Sequence, residues 1–415
     1  MHKNTKIVTA LIALGLVSPM AYATNGIVAL GVGAQNTALG GSGVANFTGA
    51  DSTFANPAML GKSKGSEVTG GVSLFKPAVS SDGLGNTSVK STADTFFIPD
   101  VSYSNRIGDS LTFGVAAAGV AGMGVDYTSA NEQTHINAKT EFSLLHVIPT
   151  LAYNQKDYGI GFSPVLQSGS LLISYNNPNG GGPGVRVARN TEQNAEKDTG
   201  LGFAIGGYFN ATSSLTVAAS YSSEIAASYG KQLSNAGTGF GLTGAPGSAN
   251  AAFGDDLYHP GQIKVGVAYA MSEALTLTAD GKIIQYGSAK GWKDFNWKDQ
   301  TVIAVGGKYA ANGYWLGLGY NYADDPIGVL APSGGAVDRN VTINFFNNFM
   351  FPGIVKSSYT FGGGYAISKA LDVDTAVVIT PEVRKEINTP SFGAGTSNVT
   401  THSQQAFTVS LRYKF

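Results

Sequence analysis

Hydrophobic and polar residues alternate with a period of two along much of the chain. The C-terminal run is the clearest, because Phe407, Val409, Leu411, Tyr413 and Phe415 alternate with threonine, serine, arginine and lysine. Alternation of this kind predicts a β-strand with one apolar and one polar face. The same pattern predicts fourteen strands in all, at residues 67–79, 95–104, 111–127, 141–154, 158–175, 199–210, 215–229, 259–270, 275–286, 300–309, 314–322, 356–367, 371–380 and 403–415.

The connections between these strands are alternately short and long. Six have six residues or fewer, for example 155–157, and seven are longer, including 323–355 and 381–402. Outer-membrane barrels show this arrangement, with short periplasmic turns, longer extracellular loops and strands of about ten residues. A soluble β-sandwich gives no reason for it, and two soluble domains are the alternative. We predict an all-β fold, a transmembrane antiparallel β-barrel of fourteen strands.

The N-terminus has the features of a secretory signal. Two lysines precede an apolar run from Ile7 to Val17, and Ala21-Tyr22-Ala23 forms a cleavage site. The alternative, a single membrane anchor, needs about 20 apolar residues, more than this run provides. We predict a signal peptide at 1–23. No later segment has 18 consecutive apolar residues, so an exported membrane protein of this sequence has to be a β-barrel.

Composition excludes several classes of function. Charged residues make up 13% of the chain, against about 25% in ordinary soluble proteins, and the net charge of −1 predicts no nucleic-acid partner. The absence of cysteine excludes thiolate metal sites and thiol nucleophiles. The histidines, His2, His135, His146, His259 and His402, lie on separate predicted loops or strands, and no hydrolase, phosphate-loop or zinc-protease motif occurs. The sequence therefore predicts no enzyme activity, no cofactor and no metal.

The segment before the first strand does not alternate. Residues 24–61 are rich in small residues and contain Asn56-Pro57-Ala58 near their end. Glycine permits turns that side chains forbid, and the residue before proline is extended or in a turn. The segment is either a loose periplasmic tail or a plug folded inside the lumen. We divide the chain into the signal peptide, an N-terminal hatch at 24–61 and a barrel at 62–415.

The hatch sequence resembles a known family. The run 38–45, Ala-Leu-Gly-Gly-Ser-Gly-Val-Ala, followed by Asn56-Pro57-Ala58, is similar to the hatch of FadL-type transporters of long-chain fatty acids and aromatic hydrocarbons in Gram-negative outer membranes. The segments 297–300, 319–322 and 351–355 support the resemblance. It implies a monomeric fourteen-stranded barrel that takes hydrophobic molecules from outside and releases them laterally through its wall. It also implies contact with outer-membrane lipid and lipopolysaccharide.

Two further features follow from this resemblance. The terminal Phe415 resembles the signal by which the barrel-assembly machinery recognises its substrates. The lateral opening of the family arises from a kink in the third strand, where this chain has Gly119, Val120, Ala121 and Gly122. Glycine within a strand marks bulges and bends. These glycines form the opening, make room for the hatch, or do both.

Two groups of residues are candidates for ligand binding. Phe345, Phe346, Phe349, Met350 and Phe351 form an apolar cluster in loop 323–355. Aromatic and methionine side chains offer a large, adaptable contact surface. The alternative is that the cluster packs onto neighbouring loops or lipopolysaccharide.

Cationic residues form the second group. Lys264 and Lys282 face the lumen by parity, where they either bind a ligand carboxylate or pair with Asp280. Arg186 and Arg189 are further cationic candidates.

The identity of the ligand stays open between a fatty acid and an aromatic hydrocarbon. The loop 176–198 is polar, unlike the capture groove of the fatty acid members, and Thr389-Pro390-Ser391-Phe392 looks closer to the aromatic branch. We predict passive transport of hydrophobic molecules. The alternative is a general diffusion porin for hydrophilic solutes, which lines its channel with charge. Here the predicted lumenal residues are mainly threonine, serine, glycine and alanine.

Overall fold

Fourteen long strands form one closed antiparallel ring in the computed structural model. The structure describes residues 24–175, 194–242, 253–334, 338–390 and 395–415, so the predicted signal peptide, Arg186 and Arg189 lie outside the described residues. Each strand pairs with its neighbours in sequence, and the last pairs with the first. The strands are β1 Glu67–Ser81, β2 Phe96–Ile107, β3 Leu111–Asp126, β4 Lys139–Asn154, β5 Tyr158–Ser174, β6 Glu196–Asn210, β7 Leu215–Ser222, β8 Gln262–Ala270, β9 Leu275–Ile284, β10 Gln300–Ala311, β11 Tyr314–Ala323, β12 Ser357–Ala366, β13 Leu371–Asn388 and β14 Ser397–Lys414.

The alternation of the sequence corresponds to the two faces of this wall. On β14, Phe407 and Leu411 are 47% and 51% exposed, whereas the intervening Thr408 and Ser410 are each 2% exposed. Apolar side chains on the outer face form the band that contacts lipid in outer-membrane barrels. The predicted fourteen-stranded barrel is confirmed.

Two predicted boundaries are wrong. The long loop expected at 381–402 is largely strand, because β13 continues to Asn388 and β14 begins at Ser397. A register shift between Thr380 and Val383 interrupts the alternation there, so the pattern seemed to end. The strand predicted at 215–229 ends at Ser222, and the chain beyond it makes only isolated bridges.

Short helices lie in the segment before β1 and in the long connections between strands. The α-helices are α1 Ala34–Ala38, α2 Glu132–His135, α3 Gln232–Gly239 and α4 Arg339–Met350. Three 3-10 helices lie at Ala50–Phe54, Pro57–Lys62 and Lys293–Phe295. The Asp338 carboxylate caps α4 by accepting hydrogen bonds from Asn340 N at 2.9 Å and Val341 N at 3.2 Å. None of the described helices is long and apolar enough to cross a membrane.

Candidate transport path

The segment 24–61 lies against the inner face of the barrel wall. Its backbone bonds to inward-facing side chains of distant strands: Ala38 O accepts from Thr360 Oγ1 at 2.8 Å, and Ala55 O accepts from Ser220 Oγ at 2.8 Å. Gly40 O accepts from Asn321 Nδ2 at 3.0 Å. These three partners belong to β12, β7 and β11, so the segment contacts widely separated parts of the ring. We keep the name hatch for it.

Glycine allows the hatch to approach the wall closely. A Cβ at Gly319 would lie 2.3 Å from Gly40 N, and Gly40 itself has a φ of +70°. The backbones of hatch and β11 therefore touch at a point where side chains would prevent contact.

The Asn-Pro-Ala motif joins two parts of the hatch to the wall. The Asn56 side chain accepts from Ala58 N at 2.9 Å, which caps the 3-10 helix that begins at Pro57. Its amide donates to Val44 O at 2.9 Å and to Gly207 O on β6 at 3.2 Å. The motif therefore holds two parts of the hatch together and fixes them to β6.

Charged groups also anchor the hatch, and sequence reasoning missed two of them, Asp374 and Arg412. Arg412 forms an ion pair with Asp374 at 2.5 Å, and Trp315 Nε1 donates to the same carboxylate at 2.6 Å. Gln35 on α1 donates to it at 3.3 Å. A buried carboxylate needs such partners, because an unpaired charge is costly away from water.

The wall is interrupted where a lateral opening was predicted. The β2–β3 ladder ends at the pair Asp100 and Ala118, and the β3–β4 ladder shifts register between Gly119 and Ala121. Residues 119–126 of β3 have no partner on β2 in the described part of the chain. We call residues 96–99 of β2 and 119–122 of β3 the seam.

The N-terminal end of the hatch covers the seam from inside. Val28 pairs with Ala121, and Gly122 N donates to Ile27 O at 3.0 Å. Tyr286 Oη accepts from Ile27 N at 2.9 Å and donates to Asn25 O at 3.0 Å. Burial raises the pKa of Tyr286, so its hydroxyl keeps the proton for this second bond.

Tyr286 also belongs to an aromatic cluster. We define this cluster as Tyr286, Trp292, Phe295, Trp297 and Phe346. The Tyr286 ring lies 5.7 Å from Trp292 and 5.0 Å from Trp297, and Phe346 stacks on Phe295 at 4.8 Å. The two tryptophans and Phe346 line one small apolar cavity. Sequence reasoning missed Tyr286 and the tryptophans, although three aromatic residues in the connection 287–299 were a signal.

The phenylalanine cluster is not an irregular loop. Phe345, Phe346, Phe349 and Met350 lie on α4 and are at most 1% exposed, and Phe351 directly after it is 5% exposed. Their rings contact other connections, including Tyr127, which stacks on Phe349 at 5.1 Å. Two features favour a helix here: the apolar residues recur at helical spacing, and Asp338 caps the first turn. A role in ligand binding stays a prediction.

The two lysines contact the hatch. Lys264 Nζ donates to Phe54 O at 3.2 Å, and Lys282 Nζ donates to Gly41 O at 2.7 Å. The Asp280 carboxylate instead accepts from Val44 N at 3.0 Å. Among the described residues neither lysine forms an ion pair with Asp280, so the expected pairing is absent there.

A cavity of about 90 Å³ lies between the hatch, these lysines and the seam. Its lining includes Val120 of the seam, Lys264, Lys282 and two histidines, His146 and His259. The sequence predicted that the histidines lie apart, and this is wrong for one pair. The rings of His146 and His259 meet edge to face with centroids 5.0 Å apart, because the chain just before β8 lies close to β4 at the cavity.

The model of the outer membrane protein transport protein family, described as OMPP1/FadL/TodX, matches residues 16–415. The chain belongs to this family. It is therefore an outer-membrane transport protein and not an enzyme, and the resemblance stated from the sequence is confirmed.

Several solved structures have the same fold as this chain. The toluene transporter TodX of Pseudomonas putida is 18% identical with a TM-score of 0.67, covering 93% of this chain and 99% of that chain. A FadL homologue of Pseudomonas aeruginosa is 16% identical with a TM-score of 0.69, covering 94% and 100%. The toluene transporter TbuX of Ralstonia pickettii is 18% identical with a TM-score of 0.61, covering 93% and 99%.

A curated relative matches a smaller part of the chain. It is an uncharacterized protein from the 5' region of the phosphoenolpyruvate carboxykinase gene of Chlorobium limicola, 38% identical over 112 residues. The match covers 26% of this chain and 54% of the relative, so the chain spans about half the length of that relative.

Proposed function

We propose that this FadL-type protein carries hydrophobic small molecules passively across the outer membrane and releases them sideways into the membrane through the seam. The observation that carries the proposal is the departure of β3 from β2 after Ala118, at the position covered by Val28 of the hatch. A wall strand without its neighbour leaves a place where an apolar molecule can pass without breaking an intact ladder.

The path begins at the aromatic cluster. Its buried rings offer an apolar surface on the side of the long connections, which face outward in barrels of this kind. Tyr286 belongs to this cluster and also bonds to Ile27 and Asn25 of the hatch. The cavity beside Val120 is the next space toward the seam. The ligand class, fatty acid or aromatic hydrocarbon, belongs to the proposal, and the solved toluene transporters of the same fold favour the aromatic.

A double substitution at the seam tests this function. Gly119→Val with Gly122→Val adds β-branched side chains that favour regular strand and fill the space. Uptake of a labelled alkylbenzene and a labelled fatty acid should fall at least tenfold in cells that produce equal amounts of folded barrel. Heat-modifiable mobility on gels verifies folding.

The matched control makes the same change in an intact part of the wall. Gly281→Val with Gly307→Val adds side chains on β9 and β10, where a new Cβ meets only ordinary contacts at 3.7 and 3.5 Å. Uptake by this control should stay within twofold of the wild type. Unchanged uptake by the folded seam variant would refute lateral release there. A large stable conductance in a planar bilayer would instead support a porin.

A further inference from the structure

One buried carboxylate on the lumenal face of the wall has no partner among the described residues. Asp374 and Asp100 are 1% and 7% exposed. Asp374 bonds to Arg412, Trp315 and Gln35. Asp100 Oδ2 has no hydrogen-bond partner, and no cation in the described part of the chain forms an ion pair with Asp100. An unpaired buried carboxylate is costly, so Asp100 needs a ligand or a proton.

Three hydroxyl groups beside Asp100 also lack partners. Thr69, Ser102 and Ser410 are each at most 2% exposed, and their oxygens have no hydrogen-bond partner within the described residues. Thr69 lies opposite Ser102, and Gly71 lies between Asp100 and Ser410 on the neighbouring strands. Side chains at directly opposite positions have Cβ atoms about 5 Å apart. β14, β1 and β2 therefore direct four unpartnered oxygens toward one part of the lumen.

Glycine keeps the space among these oxygens open. A Cβ at Gly71 would lie 2.5 Å from Asp100 Oδ1 and 2.6 Å from Ser410 Oγ. Both oxygens therefore flank the position that a side chain at residue 71 would take. On the lipid face of the same strand, a Cβ at Gly70 meets nothing within 4 Å. The glycine that faces the lumen is thus the one that the approach of these oxygens requires.

Carboxylates outnumber cations in this part of the interior. A Cβ at Gly49 of the hatch would lie 3.1 Å from Glu67 Oε1 and 3.3 Å from Asp51 Oδ1. It would lie 3.4 Å from Arg412 Cζ, so the three charged groups meet here, and this guanidinium already forms an ion pair on β13. Burial raises the pKa of Asp51 well above its usual value, and the nearby Asp100 adds to this rise. A further positive charge would therefore stabilise the region.

We propose that Asp100, Thr69, Ser102 and Ser410 bind a sodium ion between the barrel wall and the hatch. One carboxylate and three hydroxyls are hard oxygen ligands, which exclude a soft metal. Calcium takes about six to eight oxygens, usually with several carboxylates. The described residues contain no group of three or more histidine or acidic side chains that could hold a metal, so a monovalent ion fits better.

The ion also accounts for a donor at the edge of the group. Arg412 Nε has no partner in the described part of the chain, and a water carried by the ion can accept its hydrogen bond. The sequence predicted no metal, because ligands from three separate strands form no motif. This inference does not depend on the proposed transport function.

The effect of sodium on stability tests the proposal. Urea unfolding of the barrel in lipid vesicles is measured while sodium chloride replaces choline chloride at constant ionic strength. Choline is too bulky to enter a ring of close oxygens. A ligand that binds only the folded state lowers the unfolding equilibrium constant, by about tenfold when its concentration is about ten times the Kd. We expect this tenfold change, and equal stability throughout the titration would overturn the proposal.

Two variants remove the site. Asp100→Asn removes the charge at nearly constant volume, and Gly71→Ala places a methyl group where Asp100 and Ser410 approach. In both, sodium should change the unfolding constant by less than twofold. The matched controls are Asp280→Asn, which alters another buried lumenal carboxylate, and Gly70→Ala on the lipid face. Both controls should keep the tenfold effect. A full sodium effect in Asp100→Asn would contradict the proposal.

The wild type decides the matter if neither variant folds. Its stability is compared in sodium, calcium and choline chloride, each at several pH values. Stabilisation by sodium at fixed pH is the expected result. Stabilisation by calcium and not by sodium would show a divalent site. Stability that follows pH and not sodium would show that a proton compensates Asp100, and either of these results would overturn the inference.

Discussion

The barrel wall is continuous between β13 and β14 and interrupted between β2 and β3. β13 and β14 stay paired from Leu371 opposite Tyr413 to Asn388 opposite Ser397, although a bulge lies after Thr380. β3 also has a bulge, next to Gly119, but the described β2 has no pairing with it beyond Ala118. A bulge by itself therefore does not open this wall. The interruption arises because β3 loses one neighbour.

The hatch replaces the missing neighbour. Val28 takes a ladder position beside Ala121, and Ile27 O accepts the amide of Gly122. This contact is two residues long, whereas β13 and β14 share a hairpin that runs their full length. The seam is therefore held by far fewer hydrogen bonds than the hairpin of β13 and β14.

The largest effect is expected from fixing the hatch to the seam. The chain has no cysteine, so Val28→Cys with Ala121→Cys creates a single possible disulfide between register partners. Cross-strand partners lie within the distance that a disulfide spans. Oxidation should reduce alkylbenzene uptake at least tenfold, and a reductant should restore it.

The same cross-link in the continuous wall is the control. Val377→Cys with Phe407→Cys joins register partners of β13 and β14. Oxidation of this pair should change uptake by less than twofold. Full uptake by the oxidised Val28–Ala121 variant would show that the hatch end does not need to leave β3.

A second prediction concerns the stability of the continuous wall and its attachment to the hatch. Arg412→Met leaves the buried Asp374 without its cation, and breaking a buried pair in this way costs about 3 to 5 kcal/mol. The control Lys414→Met breaks the more exposed pair between Lys414 and Asp372 on the same strands, at a cost below about 1 kcal/mol. Urea unfolding in lipid vesicles measures both. Equal midpoints for the two variants would contradict the assigned role of Asp374.

The smallest effect is a difference in local opening. Amides of 119–126 on β3 should exchange with deuterium about tenfold faster than those of 403–410 on β14, because the former have a wall neighbour on one side only. Mass spectrometry of peptides from each strand measures the two rates. Equal protection would indicate that the seam is as stable as the intact wall.

Periodicity was sufficient to predict the wall, because each strand has a lipid face and a lumenal face that its own residues encode. Phe407 and Leu411 on β14 show this directly. Periodicity failed where the backbone departs from regular strand. The bulge after Thr380 shifted the alternation, so the extension of β13 to Asn388 was missed.

The site was less predictable than the wall because its contacts join distant segments. His146 and His259 are far apart in the sequence, and only the closed barrel brings the two imidazole rings together. Tyr286 contacts Ile27 for the same reason. The glycines of β3 could be singled out, because glycine within a strand usually marks a bulge, a bend or the close approach of another backbone.

Lateral release is tested most directly by labelling the route of the ligand itself. An alkylbenzene with a diazirine on its chain is allowed to enter cells, activated by light and located by peptide mass spectrometry. We expect labels on 96–99 of β2 and 119–122 of β3, and fewer in the Gly119→Val, Gly122→Val variant. Lys62, Arg106 and Asn154 line a wide cavity on the side of the short turns. Labels confined to these residues would show that ligand leaves through the periplasmic end and would contradict lateral release.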